Sequence, residues 1–257
     1  MAGMMTGLLL LLLAGVTVGR VVDLQKRIYG GKECAATERL HHVRLRKSDG
    51  KKNGLCGGTL ISKDWILTAG HCVPEVGTKS VKAFLGVNRD GEENPVDINI
   101  DHIRRYKEGD GTPHDIALLK LPASSGLKPA SLPDCSKPPP QIGQTVQIAG
   151  HITTSIDKND KKVSHKTARL LCAEINVVQC KPQTCQYGYY TPYLFCYQGT
   201  GVDAGKGDSG GGVVFNDRIY GVHVSSVITA CVEARATDVC KYISWITTET
   251  KIPIPSK

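Results

Sequence analysis

The stretch GKGDSGGGVV, from Gly205 to Val214, sets one serine among five glycines directly ahead of an apolar run. Three interpretations fit these ten residues: a glycine-rich turn before a strand, a phosphate-binding loop, and a nucleophile held on a constrained backbone. The phosphate-binding interpretation is disfavoured because the Gly-Lys-Ser/Thr ending of a P-loop is absent. The nucleophile interpretation requires a histidine and an acid elsewhere in the chain.

The composition predicts a protein built from short strands. The chain has 257 residues, 40% of them hydrophobic, which is enough for one large domain or two small barrels. Aromatic residues are few, at 5%, whereas 28 glycines and 13 prolines supply many turns. Apolar segments such as Trp65 to Ala69 and Ile116 to Leu121 alternate with polar turns, so we expect mostly antiparallel β structure. One helix is expected from Lys241 to Lys251.

The N-terminal segment has the features of a signal peptide. The apolar run from Leu8 to Val18 is too short to span a membrane, and it ends in small residues. We therefore predict a signal peptide over residues 1–19 and a secreted protein that has no membrane association.

The cysteine count agrees with secretion, because it is even and thiols oxidise outside the cell. The ten cysteines are Cys34, Cys56, Cys72, Cys135, Cys172, Cys180, Cys185, Cys196, Cys231 and Cys240. A zinc site is not expected, since no two Cys-x2-Cys pairs occur. The net charge of +8 is dispersed along the chain, which argues against a nucleic-acid partner.

The histidine and the acid that the serine requires are present. In TAGHC, His71 follows an apolar strand and precedes Cys72, which a disulfide to Cys56 would hold in place. In HDIALLKL, Asp115 opens a buried strand, where a carboxylate needs a polar partner that an imidazole would supply. The chain order His, Asp, Ser is the order of the chymotrypsin triad.

The chain resembles a trypsin-like serine protease of the chymotrypsin family from Ile28 to about Ile246. The matching segments are RIYGG, CGGTLISKDWILTAGHC, DIALLKL, GDSGG and YISWI. The resemblance implies an all-β protease domain over residues 28–257, with two packed six-stranded antiparallel β-barrels and a C-terminal helix. It also implies a monomer without cofactor or metal, with protein or peptide substrates and protein inhibitors as partners.

The resemblance assigns roles to the three polar residues. Ser209 would be the nucleophile, His71 the general base and then acid, and Asp115 the group that orients His71. The backbone amides of Gly207 and Ser209 would form the oxyanion hole.

The resemblance also implies activation by cleavage. Residues 20–27 would form a propeptide that is removed by cleavage after Arg27, and the freed amino group of Ile28 would pair with Asp208. The protein would then be made as a zymogen.

Substrate specificity is expected to rest on Asp203, six positions before Ser209, which matches the acid of the trypsin S1 pocket and favours Arg or Lys. Ser225 and Ser226 best match the substrate-binding strand, with a register uncertain by one residue. The pocket departs from the family, because Gly205 replaces a cysteine and Ala234 a glycine. The alternative function is therefore a binding protein on a protease scaffold, with little or no turnover.

The resemblance implies most of the disulfide pairs. It joins Cys34 to Cys172, Cys56 to Cys72 and Cys135 to Cys240. Cys196 would pair with Cys180 or Cys185, and whichever remains could reach Cys231.

Overall fold

The computed structural model describes residues 31–73, 80–86, 95–156, 162–181, 191–199, 204–225 and 233–253. These residues form two antiparallel sheets and one short α-helix. The strands are, in chain order, β1 (Lys32–Glu33), β2 (His42–Ser48), β3 (Asn53–Leu60), β4 (Trp65–Thr68), β5 (Ser80–Leu85), β6 (Val96–Ile98), β7 (Ile103–Lys107), β8 (Pro113–Lys120), β9 (Thr145–Ile156), β10 (Lys162–Val178), β11 (Leu194–Gln198), β12 (Gly212–Phe215), β13 (Arg218–Ser225) and β14 (Ala234–Asp238).

The N-terminal sheet has seven strands in the order β6-β5-β2-β3-β4-β8-β7. Strands β4 and β8, which pair with each other, carry the segments WIL and IALL, whose apolar residues are all buried. Within the described ranges, the outer strands β6 and β7 are not hydrogen-bonded to each other, so this sheet is a curled half-barrel.

The C-terminal sheet closes on itself. Six strands run β9-β10-β11-β14-β13-β12, and β12 pairs with β9 to complete the ring. The short strand β1 joins β10 from outside, with Lys32 opposite Cys172. The expected all-β fold is confirmed: among the described residues, the C-terminal barrel is a closed ring of six strands, and the seven-stranded N-terminal sheet is a curled half-barrel.

Apolar side chains from both sheets meet in one cluster. Val214 and Ile219 of the closed barrel pack into the core of the first sheet, together with Tyr242 and Ile246 from the C-terminal segment. That segment is a 3-10 turn at Val239–Tyr242 followed by α1, Ile243–Thr250. The helix ends because Lys251 takes a left-handed conformation, with φ of 58°, and donates its N–H to the carbonyl of Thr247. No helix in the described ranges has the length and apolar character required to cross a membrane.

Four disulfides are present among the described cysteines; three are pairs that the resemblance implies, and the fourth is one of the two alternatives it left for Cys196. They are Cys34–Cys172, Cys56–Cys72, Cys135–Cys240 and Cys180–Cys196. Cys180 is thus the partner of Cys196, while Cys185 and Cys231 lie outside the described residues. The first bridge spans 138 residues and fastens the segment that carries β1 to the closed barrel.

Candidate active site

His71 and Asp115 are in direct contact. His71 lies in a 3-10 turn, Gly70–Cys72, just after β4, and Asp115 lies near the start of β8, which pairs with β4. The carboxylate accepts two hydrogen bonds from His71: one from the backbone N–H to Oδ1 at 2.8 Å, and one from Nδ1 to Oδ2 at 2.9 Å. With a proton on Nδ1, the lone pair of Nε2 is left free to act as a base.

A glycine allows this approach of the two segments. A Cβ atom on Gly70 would lie 2.9 Å from the carbonyl oxygen of His114 and 3.1 Å from the Cα of Asp115. Any larger residue would therefore push the His71 turn away from β8. The carbonyl of His71 also accepts a hydrogen bond from Nζ of Lys47 at 2.5 Å.

The backbone around Ser209 is fastened to both sheets. Its carbonyl accepts the N–H of Gly57 at 2.7 Å and lies 3.3 Å from Sγ of Cys72, the residue that follows His71. The N–H of Gly210 donates to the carbonyl of His223 on β13 at 2.7 Å. The Cys56–Cys72 disulfide therefore links the histidine turn to β3, which in turn holds the serine turn through the N–H of Gly57.

Asp208 is buried although it precedes the partly exposed Ser209. Its side chain accepts backbone N–H groups from Ile152 to Oδ1 at 3.2 Å and from Gly205 to Oδ2 at 2.9 Å. Gly207, next to it, has a positive φ of 112°, a conformation that suits glycine. Arg27 and Ile28, the residues of the expected activation site, lie outside the described part of the chain.

The expected specificity residues are described only in part. Asp203 and Ser226 lie outside the described residues, and Ser225 is described in its backbone alone, which pairs with Arg235 of β14. Ala204, which follows Asp203, and Ala234, at the start of β14, are both buried in the apolar cluster of the closed barrel.

Sequence reasoning missed a buried polar pair beside the serine turn. The phenol oxygen of Tyr197 is hydrogen-bonded to Nδ1 of His223, and both side chains are buried. The backbone of His223 meets the serine turn on both sides, through its carbonyl to Gly210 and its N–H to Gly211. An unusual histidine in the segment HVSSVITAC was the available signal, but its tyrosine partner is distant in sequence.

Two neighbouring histidines near the serine turn are kept neutral by burial. Desolvation lowers the pKa of His41 to about 4, with a smaller effect from the positive charge of Arg39. Burial also lowers the pKa of His42 well below its usual value, and His151, 5.7 Å away between ring centroids, adds to this effect.

These histidines predict a loss of stability in acid. An unfolded histidine takes up a proton near its ordinary pKa of 6.5, whereas folded His41 does so only near 4. Between these values the unfolded state binds more protons, so the free energy of unfolding falls as the pH is lowered from 6.5 to 4. Between pH 7.5 and pH 4.5 the free energy of unfolding should fall by about 2 kcal/mol less in His41→Gln than in the unsubstituted protein. Urea unfolding at the two pH values measures this difference. The exposed His102, changed to Gln, is the control, and equal effects of the two substitutions would contradict this assignment.

Two groups of potential metal ligands occur in the described ranges: Cys56, His71 and Cys72, and Cys34, Glu38 and Cys172. In each group both sulfur atoms belong to a disulfide, so neither offers a thiolate to a metal ion.

Comparison with known proteins agrees with this architecture. Residues 28–246 match the family model described as Trypsin. The chain is 29% identical to human kallikrein-8, over 94% of this chain and 93% of that protein. It is 31% identical to the serine protease VLSP-3 of Macrovipera lebetinus, over 85% of each chain. The solved structure of mouse neuropsin, a serine protease, superposes with a TM-score of 0.67 at 24% identity, covering 86% of this chain and 98% of that one. The chain therefore belongs to the trypsin family of serine proteases.

Proposed function

We propose that this protein is a secreted serine endopeptidase, made as a zymogen, that cleaves protein or peptide substrates after Arg or Lys. The observation that carries the proposal is the double contact between His71 and Asp115, together with a serine turn whose Ser209 carbonyl lies 3.3 Å from Sγ of Cys72, the residue after His71. Membership in a family of serine proteases supports the same reaction.

The reaction follows from the roles of three side chains. His71 takes the proton of the Ser209 hydroxyl on Nε2 while Oγ forms a bond to the carbonyl carbon of the substrate. The resulting imidazolium, stabilised by Asp115, then gives that proton to the leaving amine as the peptide bond breaks. Water, activated by the same imidazole, releases the acyl group from Ser209.

The negative charge that develops on the substrate oxygen requires donors. The N–H groups of Gly207 and Ser209 are proposed to supply them, since the positive φ of Gly207 allows a backbone shape in which neighbouring amides converge. The buried carboxylate of Asp208 sits directly between these two residues. An ammonium group from Ile28, freed by cleavage after Arg27, would neutralise that carboxylate and so order the turn.

Substrate preference is proposed to come from Asp203. A carboxylate in the S1 pocket would bind the cationic side chain of Arg or Lys through a charge-assisted hydrogen bond. Ser225 and Ser226 would bind the substrate backbone beside it.

The proposal is tested by hydrolysis of a peptide library with the chain cleaved after Arg27, using Ser209→Ala as the control. We expect cleavage after Arg or Lys that disappears in the variant. Cleavage after other residues would overturn the role of Asp203 and leave that of Ser209 intact. No hydrolysis above the control, in folded and correctly cleaved protein, would overturn the protease proposal in favour of a binding protein.

A further inference from the structure

A second histidine, His114, directly precedes Asp115, is buried, and takes no part in the proposed reaction. The side chain of His114 is 1% exposed, and each of its ring nitrogens has a polar partner. Nε2 lies 2.8 Å from Oε1 of Glu108, in the turn after β7, and Nδ1 lies 2.7 Å from the phenol oxygen of Tyr242, just before α1. His114 thus joins three separate segments of the chain.

Aromatic rings surround this histidine. The ring centroids of Tyr193, Tyr106 and Tyr242 lie 4.8, 5.0 and 5.6 Å from that of His114. Tyr193 also donates its hydroxyl to Oε1 of Glu108 at 3.3 Å. The negative charge of Glu108 raises the pKa of Tyr193, and burial raises the pKa of Tyr242. Both phenols therefore keep their protons and remain able to donate hydrogen bonds.

The backbone that carries Asp115 is irregular at this point. On β7 and β8, Arg105 pairs with Ala117 and Lys107 pairs with Pro113, so the three residues 114–116 face the single residue Tyr106. Such a bulge interrupts the regular ladder that normally fixes a strand. Asp115 is the central residue of this bulge, and its backbone position therefore depends on other contacts.

We infer that His114 is a positioning residue for the protease reaction proposed above. Held between Glu108 and Tyr242, it fixes the bulge at the start of β8, so that the Asp115 carboxylate stays within reach of both nitrogen donors of His71. In this role His114 acts through the backbone of Asp115 and not on the reacting atoms. The inference rests on the proposed function of the His71–Asp115 pair.

The test compares His114→Phe, which keeps the ring but loses both polar contacts, with His114→Gln, which retains one of them. Activity is expressed per active site, titrated with a serine-directed acylating reagent. We expect His114→Phe to lower kcat by about 10- to 100-fold with little change in KM, and His114→Gln to recover part of the loss. In His114→Phe, the acid limb of the pH profile of kcat/KM should move to lower pH, because a displaced Asp115 carboxylate stabilises the imidazolium of His71 less.

A control variant separates positioning from packing. Trp245→Phe removes part of a ring that lies 5.5 Å from Tyr106 and leaves the contacts of His114 in place. It should lower Tm without changing kcat or the acid limb. If His114→Phe likewise lowered Tm alone, the inference would be overturned.

A second readout does not depend on turnover. In the Ser209→Ala protein, the proton shared by Nδ1 of His71 and Asp115 should give a low-field NMR resonance. We expect His114→Phe to move or abolish this resonance and Trp245→Phe to keep it. An unchanged resonance in His114→Phe would overturn the positioning role, even if the protein proved to have no protease activity.

Discussion

Asp115→Asn is expected to lower kcat by about 10⁴-fold while the protein stays folded. The carboxylate accepts hydrogen bonds from both the backbone N–H and Nδ1 of His71. An amide has one acceptor oxygen and one NH2 donor. In Asp115→Asn, either the NH2 group would face one of the two N–H donors of His71, or His71 must change its tautomer. A proton moved to Nε2 would remove the base that Ser209 requires.

The matched control is Asp97→Asn, the same chemical change at an exposed carboxylate paired with Lys82 at 2.9 Å. It should leave kcat unchanged, because surface ion pairs contribute little. Measured per titrated active site, a loss below about tenfold for Asp115→Asn would exclude Asp115 from the role assigned to it.

Gly210→Ala is expected to be the most destabilising of the single substitutions considered. Gly210 has a φ of 89°, and an added Cβ would lie 2.2 Å from Oγ1 of Thr68 and 2.3 Å from the carbonyl oxygen of Gly57. The carbonyl oxygen of Gly57 belongs to the backbone of β3, so it cannot move unless the strand moves with it. We expect a loss of at least about 3 kcal/mol in the free energy of unfolding, together with displacement of Ser209.

Gly143→Ala isolates the conformational part of this effect. Gly143 has nearly the same φ, 87°, but an added Cβ would meet no atom within 4 Å. This variant should lose only about 1 kcal/mol and keep its activity. Urea unfolding and active-site titration of both variants give the comparison, and equal losses would show that the contacts around Gly210 are not the cause.

The sequence was sufficient to predict the all-β fold and the contact between His71 and Asp115. In TAGHC a histidine follows an apolar segment, and in HDIALLKL an aspartate precedes one. Such local patterns can be recognised because burial and strand periodicity are evident within a few residues. The need of Asp115 for a polar partner suggested an imidazole, and the family resemblance then identified it as His71; the contact itself depends on the pairing of β4 with β8.

Other features of the site depend on contacts between residues that are distant in sequence. Tyr242 is 128 residues from His114, and no local pattern predicts that they share a hydrogen bond. The two backbone amides on Asp208 come from Ile152 and Gly205, 56 and 3 residues away, and only the nearer one lies within a readable motif. The sequence also does not predict that the N-terminal sheet is a half-barrel in the described residues, because closure depends on which edge strands pair and not on the strands themselves.

The Cys34–Cys172 bridge has a kinetic consequence for the proposed activation. With Lys32 held opposite Cys172 on β10, a new N-terminus at Ile28 would be only four residues from a fixed point and could reach no farther than about 14 Å. Its capture by Asp208 is a step within one chain, and this short tether would set the effective concentration in the millimolar range. The rate of ordering after cleavage should therefore be first-order and independent of protein concentration.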